Sequence, residues 1–110
     1  MMVRDGAAGA GNGVRVPRSV VAVGRHERRD AARDRATREF GDCAEPALDL
    51  MELLELAWHD SHGDTVPPAD IVEDVWLVAS GDVGRLASAS RLAVTDWRDL
   101  RVAADEVRAR

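Results

Sequence analysis

At 110 residues the chain has room for one domain, and its 15 basic side chains, all Arg, stand against 20 Asp and Glu for a net charge of −5. That balance excludes a phosphate-backbone reader as the default, because an acidic surface repels nucleic acid. A single cysteine, Cys43, excludes an intrachain disulfide, and the longest apolar run near the N-terminus, Val20–Val23, falls short of both a signal-peptide core and a membrane span, so a cytoplasmic protein without membrane contact is expected.

The opening "MMVRDGAAGAGNGVRVPRSVVAVG" is glycine-rich and aperiodic, and "RHERRDAARDRATREF" places charge on every face of a notional helix. Such a stretch buries too little apolar surface to offset the entropy of ordering it. Residues 1–43 are therefore expected to be disordered, with at most a frayed helix over Arg25–Phe40. They hold nine Arg against six acids, a net of +3, whereas residues 44–110 hold six Arg against fourteen acids, a net of −8. Two other readings of the first part are a basic tail that touches RNA, membrane or an acidic partner, and an over-extended translation start. A Lys-free, Gly- and Ala-rich, aperiodic stretch is what a GC-rich upstream region yields when translated.

From Ala44 the pattern changes, and residues 44–110 are expected to form the folded domain. In "EPALDLMELLELAWHD", Pro46 suits the first turn of a helix, and Ala47, Leu50, Met51, Leu54, Ala57 and Trp58 recur with the spacing of a buried helical face. Asp49, Glu52, Glu55 and His59 gather opposite, where Leu48 and Leu56 intrude. So wide an apolar surface implies a central helix or a second surface that covers it.

Gly63 and the Pro67-Pro68 pair punctuate the chain, with Thr65 as a candidate cap. In "PPADIVEDVWLVAS" the stripe is Ile71, Val72, Val75, Trp76, Val78 and Ala79, with Asp70, Glu73 and Asp74 facing out. Gly81 tolerates the left-handed conformation of a helix C-cap, and Asp82 can accept hydrogen bonds at the next N-terminus. "VGRLASASRLAV" carries Val83, Leu86, Ala87, Ser90, Ala93 and Val94 on one face, and its small residues admit a close neighbour. Thr95 or Asp96 can cap "DWRDLRVAADEVRAR", with a narrow stripe of Trp97, Leu100, Ala104 and Val107. No Gly or Pro separates these last two helices, which can therefore be one bent helix. The fold class expected is all-α, a small three- to four-helix bundle. Its core is marginal, burying about 60% of the unfolded surface, so self-association as a homodimer is expected to supplement it.

"HDSHGD" offers His59, Asp60, His62 and Asp64 as metal-ligand types. Gly63 ends the helix, however, so the four side chains have no reason to converge, and no second cluster of His or Cys completes a site. Asp60, Ser61, Gly63 and Asp64 read as turn residues, and His59 in the last helical turn complements the helix dipole. A helix-to-helix connection is the better reading; no metal, cofactor or catalytic residue is assigned, and the chain is not expected to be an enzyme.

"LASASRLAVTDWRDLRVAADEV" is similar to the helix-turn-helix of winged-helix repressors, with Ala93 where that family commonly has Gly. The resemblance implies Arg98 and Arg101 as groove-reading side chains. Four acids balance four Arg between Asp96 and Arg110, which opposes it. "LDLMELLELAWHD", "TVPPADIVEDVWL" and "SRLAVTDWRDLRVAAD" together resemble a group of small uncharacterised actinobacterial helical proteins over residues 46–110, a resemblance that implies no activity. The reading reached from sequence is a protein–protein interaction module with an unidentified protein partner, in which Leu48, Leu56, Trp58, Trp76 and Trp97 form the core or its contact surface.

Overall fold

The computed structural model describes residues 18–63 and 66–110, with side chains from Gly24 onward, and every regular element among them is helical. In chain order these are α1 (Arg18–Phe40), a 3-10 turn (Gly41–Cys43), α2 (Ala44–His62), α3 (Ala69–Ala79), α4 (Val83–Thr95) and α5 (Trp97–Arg108). The protein is an all-α bundle, and residues 44–110 contribute four helices to it.

Local chemistry sets the helix ends. Pro46 lies in the first turn of α2, where a missing N–H is tolerated. Gly63 closes that helix at φ 78, donating its N–H to the His59 carbonyl at 2.9 Å. Helix α3 begins at Ala69, just after the proline pair, and Pro68 is its extended N-cap residue. Thr65, the candidate cap, lies outside the described residues. At the end of α3 the cap is Ser80 rather than Gly81: Ser80 takes the left-handed conformation at φ 49, and Gly81 follows at φ 78. The Asp82 carboxylate accepts from the Gly84 N–H at 2.9 Å, and that of Asp96 from the Asp99 N–H at 3.3 Å. Asp96 sits at φ −159 and ψ 82, so α4 and α5 are two helices rather than one bent one.

The core forms where α2 and α3 pack on α4, and α5 closes against α3 and α4. Ala47, Leu48, Leu54 and Trp58 from α2 meet Ile71, Val75, Trp76 and Ala79 from α3, with Leu86, Ala89 and Ala93 from α4 and Leu100 from α5 between them. The buried face of α4 is rotated slightly from expectation: Ala89 is buried and Ala87 exposed. Alanines at this seam hold the backbones close.

The folded unit starts before Ala44. Helix α1 packs along α2, burying Ala36 and Phe40 with Ala32 beside them. The Phe40 ring meets Trp76 edge-on, its centroid 5.8 Å away. The boundary expected at residue 43 is therefore corrected: residues 24–43 belong to the bundle. Disorder over residues 1–17 is an expectation that lies outside the described residues. The error has a physical cause. Counting charges on every face treats each arginine as solvated, whereas here Arg28, Arg29, Arg33 and Arg35 of α1 meet carboxylates on α2 and α3.

Candidate functional site

Two charged seams and one apolar face make up the polar and exposed chemistry of the bundle. The first seam joins α1 to α2 and α3. The Arg28 guanidinium donates to both oxygens of Glu55, at 2.8 and 2.9 Å. Arg29 donates to Asp49 and Glu45, each at 2.9 Å, and to Glu52. Arg33 also reaches Glu45. Arg35 forks onto Glu73 at 2.6 and 2.9 Å, holds Glu39 at 2.7 Å, and stacks 5.2 Å from the centre of the Trp76 ring. These contacts act on protonation: hydrogen bonds from Arg29 and Arg33 hold the Glu45 carboxyl below its usual range, and one from Arg35 does the same for Glu73. The carboxylates of α2 that the sequence places on a free polar face are thus paired within the chain, four of them against three arginines. Leu48, which intrudes on that face, is buried there.

The second seam joins α3 to α5. Asp74, expected to face out, is fully buried. Its two oxygens each accept a hydrogen bond at 2.6 Å, one from Arg101 and one from Arg108. Arg101 also binds Asp70 at 2.8 Å, which holds that carboxyl below its usual range. Arg108 returns to Asp105 at 2.9 Å. A paired carboxylate is compatible with burial because both oxygens keep charged donors. The pairing escapes sequence reasoning because its partners lie 27 and 34 residues away.

That seam bears on the groove-reading arginines. Arg101 is engaged by two carboxylates of its own chain, so a DNA contact would have to break both. Arg98 is exposed, its guanidinium 5.2 Å from the centre of the exposed Trp97 ring. The two arginines are therefore not equivalent, and only Arg98 is placed to reach outward.

The His59–Asp64 stretch is not a loop throughout, because α2 continues to His62. Asp60 and Ser61, read as turn residues, are helical. The His62 ring stacks on Trp58 with 4.0 Å between centroids. His59 and Asp60 are exposed, and Asp64 lies outside the described residues. Among the described residues no three ligating side chains gather in metal-binding geometry.

Of the five residues expected in the core or at its contact surface, Leu48, Trp58 and Trp76 are buried, whereas Leu56 and Trp97 are exposed. The sequence reading missed Leu53, which is 58% exposed beside Leu56 at 44%. Three residues apart on a helix, these two leucines share one outward face. Leu50 and Ala57, both half-buried, flank it. The signal was available: Leu53 falls outside the stripe of Ala47, Leu50, Met51, Leu54 and Trp58. Val102 on α5 is also 58% exposed. No helix among the described residues is long and apolar enough to cross a membrane. No family model matches the chain, and no curated protein or solved structure is significantly similar to it.

Proposed function

We propose that this chain is a protein–protein interaction module that self-associates through the outward face of α2 and has no catalysis of its own. The observation that carries this reading is the pair Leu53 and Leu56, two large side chains exposed side by side. Burying a leucine is worth about 1.5–3 kcal/mol, so a neighbour that covers both gains a substantial driving force. The acid-rich flank of α2 repels a second copy only weakly, since Arg28, Arg29 and Arg33 offset three of its four carboxylate charges. Sedimentation of the full chain at tens of micromolar tests the reading. Wild-type protein is expected to associate, and the double change Leu53→Glu with Leu56→Glu to leave a folded monomer. A wild type that sediments as a strict monomer overturns it.

A further inference from the structure

Beneath the middle of α1 lies a groove of about 470 Å³, walled by α1, α2 and α3. Ligand sites occupy about 300–1,000 Å³ and combine an apolar lining with a few polar groups. Leu48, Met51, Leu54, Val72 and Trp76 line this groove with apolar surface. Its charged rim is almost internally balanced. Glu55 is held by Arg28, Glu52 by Arg29 and Glu73 by Arg35, and all six side chains border the groove. Arg25 also borders it, and among the described residues it pairs with no carboxylate. Among the side chains that border the groove, arginines thus outnumber carboxylates by one, above a floor suited to hydrocarbon.

We propose that the groove binds an aliphatic carboxylate, with its tail on the floor and its two oxygens on the Arg25 guanidinium. An arginine with no carboxylate partner among the described residues matches a planar monoanion in geometry and in charge, whereas a dianion would need a second. This site is separate from the Leu53–Leu56 face, and neither proposal requires the other.

Titration calorimetry on the full chain, with decanoate, decanol and decyltrimethylammonium below their aggregation limits, decides the matter. Decanoate is expected to bind at least tenfold more tightly than decanol, and the cation not to bind. Arg25→Ala is expected to weaken decanoate about tenfold, the scale of a lost hydrogen bond to a charged group, while leaving decanol unchanged. Val72→Trp, which fills the floor, is expected to abolish binding of both. Trp76 on the floor supplies a second readout through its fluorescence. Absence of binding, equal affinity for decanoate and decanol, or an Arg25→Ala variant that binds decanoate like wild type overturns the proposal. Wild-type selectivity and the Arg25 variant decide it even where Val72→Trp fails to fold.

Discussion

Helices α1 and α4 both lie against α2, and they are held there by different physics. At the α2–α4 seam, α4 buries Leu86, Ala89 and Ala93 in the common core with the buried residues of α2, side chains that lose contacts and gain unfavourable hydration when separated. At the α1–α2 seam α1 contributes only Ala32, Ala36 and Phe40 to the apolar packing, and its other contacts are arginine on carboxylate. A lifted arginine recovers its hydration, so its ion pair is worth far less than its Coulomb energy suggests. One seam therefore holds the fold together, while the other positions a helix that can yield to salt, acid or a ligand.

The contrast is tested first at the core. Leu86 is fully buried, and Leu86→Ala is expected to cost about 3 kcal/mol in denaturant unfolding. A loss below about 1 kcal/mol would mean that the core is not the stronger seam. Asp74 comes next. Asp74→Ala leaves two guanidiniums facing a buried gap. Both can swing toward water, so the expected loss is about 2 kcal/mol rather than the larger cost of a fully enclosed pair. Equal stability of Asp74→Ala and wild type would show that the α3–α5 seam resembles that of α1 and does not hold α5. Gly81→Ala is expected to cost about 1–2 kcal/mol, because Gly81 sits at φ 78 and a β-carbon there would run into the Glu39 carbonyl oxygen. Gly41→Ala is its control: φ is 56 and nothing lies near the added carbon, so the smaller of the two losses belongs there.

What the sequence revealed follows the same division. The buried stripes of α2 and α3 and the caps at Asp82 and Asp96 could be read because each depends on neighbours within a few residues. Apolar periodicity reports burial without naming the partner, which suffices for Leu48, Trp58 and Trp76. It also sets Leu53 off the stripe, and Leu53 faces outward, although the leucine-rich composition of the run hides that. Charge has no such local signature. Arg28 and Glu55 are 27 residues apart, and Arg35 and Glu73 are 38 apart; each looks solvated until the fold brings it to its partner. Hence α1 reads from sequence as at most a frayed helix over Arg25–Phe40 and its docking is hidden, although the charges of the two halves, +3 and −8, have opposite signs.

The weakest effect is also the most specific to α1. Glu73 titrates below its ordinary 4.5 in the folded chain because Arg35 donates to it. A carboxyl whose folded value is depressed contributes stability above its unfolded value and loses it as pH falls through the folded one. The docking of α1 is therefore expected to be complete at neutral pH and to weaken below about 4.5, with Glu45 contributing in the same direction through Arg29 and Arg33. Glu73 is 46% exposed, so solvent screening holds its contribution under about 1 kcal/mol. Global unfolding will register little, whereas amide exchange resolved by helix will register more. Protons in α1 should exchange faster at pH 4 than the intrinsic rate change accounts for, and faster in high salt at neutral pH, with α4 unchanged. Glu73→Gln should remove part of the acid response and leave the salt response of the Arg29 cluster. An α1 that exchanges in step with α4 under both conditions would place the two helices in one cooperative unit and dissolve the distinction between the seams.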